Sequence, residues 1–509
     1  MTARNLYDLF RSHFPQDPDA LFLEVPDGQS VPYAALDGET GRLAALLDGL
    51  GVAAGDRVVV QVDKSPTAVL LYLACLRLGA VYVPLNTAYT ADEVAYFLGD
   101  AGPRVFVCRP QDAERAQAVA AAAGVAHVLT LAADGGGTLA AGAAGLAPLD
   151  VVAERSCDDV AAILYTSGTT GRSKGAMLTL ENLASNAQTL HALWGWVPGD
   201  VQLHALPIFH VHGLFVALHC ALLNGSTTIF LPGFDPARVT GLLPRATVFM
   251  GVPTFYTRLL DHPDFGAGAC ASMRLFLAGS APLLAETFDA FTARTGHRIV
   301  ERYGMTETGM ITSNPYAGGE RVAGTVGYPL PDVIARVADG DGHELPRGET
   351  GVLEVKGPNV FKGYWNMPEK TAEEFRRDGF FITGDMATMA EDGRVTIVGR
   401  AKDLVISGGY NVYPKEIELL IDEVPGVRES AVVGLPHPDF GEGVTAVVVR
   451  DGGAGTEVDE AAILAALDGH LAKFKQPKRV FFVDELPRNT MGKVQKNELR
   501  TRYADTYRR

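Results

Sequence analysis

"YTSGTTGRSKGAM", residues Tyr165 to Met177, sets small hydroxyl side chains among glycines and closes on one lysine. It follows "VAAILY" (Val160 to Tyr165), an apolar β-prone run, and precedes a helical pattern near Glu181 to Trp194. A glycine-rich turn between strand and helix offers backbone N–H groups to phosphate oxygens, with hydroxyls and an ammonium as further donors. Thr166, Ser167, Gly168, Thr169, Thr170, Gly171 and Lys174 are therefore candidate phosphate ligands. The P-loop of nucleotide triphosphatases needs Gly-Lys-Ser/Thr, whereas Lys174 here follows Ser173 and precedes Gly175. This is a phosphate loop of another kind, and taken alone it is also compatible with a plain Ser/Gly surface turn.

Outward from the loop, strands and helices alternate. "RVVVQV" (Arg57 to Val62) precedes a helix near Thr67 to Leu78, and "RVFVC" (Arg104 to Cys108) precedes an alanine-rich helix. "STTIFL", "ATVFMGV" and "RLFLAG" each have a helical neighbour. This repetition predicts an α/β fold of helix-covered, mostly parallel sheets. Near residue 400 the texture changes to short strands, a Gly-Gly turn and an amphipathic helix opening at Pro414. The expected division is a large N-terminal domain over 1–400 and a small α+β C-terminal domain over 401–509. The Gly/Ala-rich segment Ala132 to Leu149 reads as a surface loop or an irregular helix and receives no element.

The 509 residues exceed what one hydrophobic core usually supports. With 47% apolar and 20% charged residues the mixture is that of a globular protein. Five scattered cysteines, without a CxxC pair, suit buried thiols in a reducing compartment, so a cytoplasmic setting is expected. The most apolar run, "AVLLYLACLRLGAVYVPL" from Ala68, is broken by Arg77 and Gly79, so no membrane association is expected. A net charge of −16, from 44 basic and 60 acidic residues, argues against a nucleic-acid partner. Any anion must then be held by local groups working against the overall field.

Four further stretches stand in order behind the loop. They are "AGSAP" (Ala278 to Pro282), "ERYGMTET" (Glu301 to Thr308), "FITGD" (Phe381 to Asp385) with "GRAKDLVISGGYNVYPKEIE" from Gly399, and "PRNTMGKVQK" from Pro487. With the loop, they resemble the motifs of the adenylate-forming superfamily of acyl-CoA synthetases, luciferases and peptide-synthetase adenylation domains. The resemblance covers the chain from about residue 160 onward. It implies an AMP-forming acid–thiol ligase with ATP, Mg²⁺ and coenzyme A. Transfer of AMP onto a carboxylate makes a mixed anhydride that a thiol can attack, and donors must meet the charge growing on the α-phosphate.

The same resemblance implies the roles of individual residues. Lys493 would reach the carboxylate and the α-phosphate. Thr306 and Glu307 would hold phosphate and Mg²⁺, since Mg²⁺ takes one or two carboxylates beside phosphates and water. Tyr303, followed by Gly304 and Met305, would lie along the adenine, with Gly279, Ser280 and Ala281 lining the base. Asp385 would accept from the ribose hydroxyls, with Arg400 nearby. Lys402 would be the hinge about which the C-terminal domain turns, and Gly408 and Gly409 would let a pantetheine arm pass close to backbone.

For the acid, the informative residue is Arg302. Relatives that take fatty or aromatic acids commonly carry a small or apolar residue there, whereas a buried guanidinium calls for an anion. A local ion pair with Glu301 is the alternative. "HALPIFHVHGLF" (His204 to Phe215) would form the other wall, with His210 and His212 as donors or packing groups and Ser280 as a further donor. Met305 and Met310 would cap a short pocket or fill the core. Together the motifs resemble most closely the malonate-activating branch of the superfamily, which implies malonate, and methylmalonate beside it, as substrate. A CoA ligase for another short acid, an amino-acid adenylation module and a non-catalytic binding protein remain alternatives. A monomer is the simplest expectation for the oligomeric state.

Overall fold

The computed structural model describes residues 5–166, 173–407, 410–452, 458–468, 470–489 and 492–508. Two large sheets make up most of the N-terminal domain. In the first, parallel strands run in spatial order Val300–Met305, Leu275–Ala278, Val248–Gly251, Val201–His204, Thr227–Phe230 and Leu21–Glu24. Antiparallel strands close its margins. The second is parallel through Val160–Thr166, Val81–Pro84, Arg57–Gln61, Val105–Cys108 and His127–Thr130. Their central strands are buried on both faces, as in Val81–Pro84 and Leu275–Ala278, which is why they read as unbroken apolar runs.

The apolar run from Ala68 lies inside this domain as the helix Pro66–Leu78 and the strand Val81–Pro84. Ser65 caps the helix by accepting from the Ala68 N–H, Pro66 opens it, and Gly79 ends it in the left-handed region. Arg77, 2% exposed, donates to the Asp37 carbonyl at 3.0 Å. Among the described residues no helix is long and apolar enough to cross a membrane.

A third sheet, Ile334–Ala338, Gly351–Lys356, Phe381–Met389 and Val395–Arg400, is antiparallel throughout and joins the mostly parallel architecture that was expected. One expectation needs correction. The glycine-rich loop does not run from strand to helix. It joins Val160–Thr166 to an antiparallel strand, Lys174–Thr179, and the helix begins only at Leu180. Residues 174–179 alternate too little to separate from a helical start by period. What fixes them as a strand is pairing on both sides, with Val160–Thr166 and with the two-residue strand Gly363–Tyr364. The segment without an assigned element holds a short helix, Thr138–Ala143.

The small C-terminal domain pairs Val427–His437, Gly441–Arg450, Val405–Ser407 and Tyr410–Val412 antiparallel, with Arg479–Val483 added in parallel. The amphipathic helix Pro414–Asp422 buries Ile417 and Ile421 against it.

Candidate active site

Thr166 and Lys174 face each other across the hairpin that carries the phosphate loop. Ser167, Gly168, Thr169, Thr170 and Gly171 lie outside the described residues. Lys174 donates from Nζ to Glu374 Oε1 at 2.7 Å and lies 4.1 Å from the centre of the Tyr364 ring. The Gly363–Tyr364 strand places Tyr364 there. A Cβ on Gly175 would come within 2.8 Å of Ile163, so close pairing in this hairpin requires glycine.

The "YGMTET" stretch is a second hairpin, Val300–Met305 with Gly309–Ser313, bulged after Tyr303. A Cβ on Gly304 would strike the Gly309 carbonyl at 2.0 Å, which explains that glycine. Asparagines fix the far side of the turn. Asn186 accepts from the Met310 N–H at 3.0 Å and donates to the Met310 carbonyl at 2.9 Å, and Asn359 donates to the Thr308 carbonyl at 2.8 Å. The Phe361 N–H donates to the Glu307 carbonyl at 2.7 Å. Glu307 is thereby held buried, its Oε1 3.4 Å from Thr166 Oγ1 and 3.1 Å from the Tyr364 hydroxyl, and burial raises its pKa. Met310 belongs to the core, while Met305 is partly exposed beside it.

Tyr303 donates its hydroxyl to Asp385 Oδ2, and Arg400 Nε donates to Asp385 Oδ1 at 2.7 Å. Each carboxylate oxygen retains a second lone pair for a ribose hydroxyl. The "AGSAP" glycine has a specific cause: a Cβ on Gly279 would lie 2.3 Å from the Arg302 guanidinium. Ser280 beside it adopts φ +71°, a left-handed backbone that costs a non-glycine residue about 1 kcal/mol or more. Its Oγ lies 3.4 Å from His212 Nδ1. Ala281 follows on the same turn.

Arg302 is 2% exposed, and none of its three guanidinium nitrogens has a hydrogen-bond partner among the described residues. Burial lowers its pKa to about 10. The local alternative does not form. Glu301, on the opposite face of the strand, accepts from the Leu283 N–H at 3.2 Å, and burial raises its carboxyl to about 8. His212, equally buried, has no partner on Nε2 among the described residues. His210 Nδ1 accepts from the His212 N–H at 3.2 Å, so the neutral ring carries its proton on Nε2. Burial first, then the charges of Arg302 and Lys493, push His210 down to about 4. His212 opens a π-helical turn, His212–Ala217. His204 donates to the Gly213 carbonyl in that turn at 2.9 Å and accepts from Lys64 at 2.8 Å.

Lys493 enters from the C-terminal domain. Its side chain is reachable by solvent, yet the crowded cleft lowers its pKa to about 8, desolvation leading and Arg400 adding repulsion. Lys402 is exposed, and the next residue, Asp403, accepts from Arg500 at 2.6 Å. Gly408 and Gly409 lie outside the described residues. Elsewhere in this domain Lys475 is paired with Glu416 at 2.7 Å.

Two hairpins, the Asp385 carboxylate and a lysine from a second domain thus lie together. Residues 10–365 match the model of the AMP-binding enzyme family, and 416–493 match that of the AMP-binding enzyme C-terminal domain. The chain belongs to the AMP-binding enzyme family. Within it, ATP-bound MatB from Rhodopseudomonas palustris is 57% identical, with a TM-score of 0.96 over 99% of this chain and 100% of that one. The apo form of MatB superposes over the same shares at 0.85. A feruloyl-CoA synthase from Amycolatopsis sp is 39% identical over 94% of this chain and 95% of its own length. A malonate–CoA ligase from Arabidopsis thaliana is 35% identical over 97% and 89%.

Tyr364, Glu374, Asn186 and Asn359 contact the candidate site residues and are not singled out by the sequence reading. "GPNVFKGYWNMPEKTAEEF" (Gly357 to Phe375) carries three of them, and its density of polar residues beside a GY pair is the one signal that could have marked it.

Proposed function

We propose that this protein ligates malonate to coenzyme A at the expense of ATP, through a malonyl-adenylate, releasing AMP and pyrophosphate. The observation that carries the reading is Arg302: a guanidinium almost wholly buried with no partner on any nitrogen among the described residues. Such a group is costly unless an anion completes it, and a carboxylate fits its fork bidentately. His210 Nε2–H and Ser280 Oγ supply further donors at the same wall. Ferulate has no second carboxylate for this pocket, so the similarity to a feruloyl-CoA synthase does not favour an aromatic acid. Methylmalonate keeps both carboxylates and adds only a methyl group.

In this reading one malonate carboxylate pairs with Arg302 and the other faces the α-phosphate. Lys493 stabilises charge there, Asp385 holds the ribose and Tyr303 flanks the adenine. Thr306 lies on the hairpin facing the phosphates. Glu307 fits a Mg²⁺ site of one carboxylate plus phosphates and water, being a buried carboxylate beside the phosphate hairpin. Mg²⁺ would there screen the triphosphate charge. Rotation about Lys402 would withdraw Lys493 and admit the CoA thiol along Gly408 and Gly409, in keeping with the different overlap on ATP-bound and apo MatB.

The test is a panel of malonate, methylmalonate, acetate, butyrate and ferulate with ATP and CoA, for the wild type and Arg302→Ala. Malonate turnover that disappears in the variant is expected; malonate turnover retained by Arg302→Ala would remove the role given to that residue. Preference for a monoacid in the wild type would favour the second reading, a CoA ligase for another short acid.

A further inference from the structure

The phosphate-loop lysine is already neutralised. Both oxygens of Glu374 are engaged: Oε1 accepts from Lys174 at 2.7 Å and Oε2 from the Tyr364 hydroxyl at 2.7 Å. The pair is largely shielded, with Lys174 14% and Glu374 21% exposed at their side chains. Lys174 also rests on the Tyr364 ring, and the same tyrosine reaches Glu307 at 3.1 Å. One carboxylate therefore stands behind the two groups that would meet the phosphates, Lys174 and Glu307. Glu374 directly follows the helix Pro368–Glu373, whose Lys370 lies 3.4 Å from it.

We propose that Glu374 is the resident counter-ion of the phosphate site, a positioning residue from which the polyphosphate must draw Lys174 and to which Lys174 returns when pyrophosphate leaves. The argument is one of competition. An ammonium without a partner in a part-buried site would hold a tri- or pyrophosphate tightly, and release would slow. A carboxylate 2.7 Å away weakens that grip by offering an equivalent partner, and it keeps the lysine aimed in the meantime. The Tyr364 bond fixes Glu374 in place, so the exchange is made by the flexible lysine arm and not by the carboxylate. This rests on ATP being the nucleotide but not on malonate being the acid.

The experiment compares the full-length wild type with Glu374→Gln, which keeps the shape and the Tyr364 contact but removes the charge. Binding of pyrophosphate and of ATP is measured by calorimetry without acid, and pyrophosphate inhibition is measured with malonate and CoA. For a part-exposed ion pair, loss of the competing charge should tighten pyrophosphate binding by about fivefold. The KM for ATP should fall in the same direction, and kcat should drop as release becomes slower. Glu374→Asp retains the charge at shorter reach and should lie between the two; it also reads the same constant should Glu374→Gln fail to fold. Pyrophosphate affinity unchanged, or weakened, in the folded variants would overturn the proposal, since a merely structural role would lower kcat without tightening the product. Absence of malonate-dependent turnover in the wild type would instead overturn the substrate reading and leave the calorimetric comparison intact.

Discussion

Gly492 packs against Thr254: a Cβ at Gly492 would lie 2.9 Å from the threonine Oγ1, and the glycine holds φ +74°. Thr254 belongs to the helix Pro253–Leu260 of the N-terminal domain, and Gly492 immediately precedes Lys493. The contact brings the turn before the lysine against the N-terminal domain. Gly492→Ala should therefore slow malonyl-adenylate formation, since the side chain both strains the backbone by about 1 kcal/mol and obstructs docking. Transfer from supplied malonyl-adenylate to CoA should change far less. Measuring the two half-reactions separately checks this, and equal losses in both would contradict it.

Arg302 sets function against stability. Replacing an unpartnered buried charge by an apolar chain of similar length should stabilise the empty protein, so Arg302→Met should unfold at higher denaturant, by about 1–3 kcal/mol. Malonate should raise the melting temperature of the wild type and leave that of the variant unchanged. Thermal melts with and without malonate provide the readout.

Lys493 should write a limb into the pH profile. Its pKa of about 8 means the ammonium is lost as pH rises through that value, so kcat/KM for adenylation should fall above about pH 8. His210, held at about 4, is neutral across the range above pH 5 and contributes no second limb there. Lys493→Arg keeps its charge, so whatever activity it retains should lack the alkaline decline. Lys493→Ala should lose roughly 10²–10³ in rate, the scale of a lost transition-state donor.

Glu301 gives a stability signature of the opposite kind to a paired carboxylate. Its folded pKa is raised to about 8 from 4.5, by burial against the weaker opposing effects of the Leu283 N–H and of Lys415 in the C-terminal domain. The folded state therefore binds the proton more tightly than the unfolded one, and stability declines as pH rises from about 4.5 to 8. Glu301→Gln should raise the melting temperature at pH 8 more than at pH 5. Melts at the two values decide it.

How much of this was legible in the sequence depends on how far apart the partners lie. Arg302 could be picked out because one residue type, at one place in a motif, departs from the usual apolar neighbour. The phosphate hairpin was misread as strand then helix because six residues, 174–179, are too few for period to decide, and pairing partners distant in the chain settle the matter. Tyr364 and Glu374 were missed for the same reason. Lys174 and Glu374 are separated by 200 positions, and the short strand Gly363–Tyr364 helps to bring them together. Gly279 was legible as a motif glycine, but its cause, the guanidinium beneath it, is a fact of packing.

Within a chain of net charge −16, Arg302 and Lys493 bring positive charge close to the neutral His210. On the proposed reading, such a pocket would sort acids by valence before it sorts them by shape. A half-ester of malonate has nearly the same outline as the diacid, but it would bring an ester oxygen where the guanidinium requires a full negative charge. Esterification at the distal end should thus exclude a molecule that the walls alone would admit.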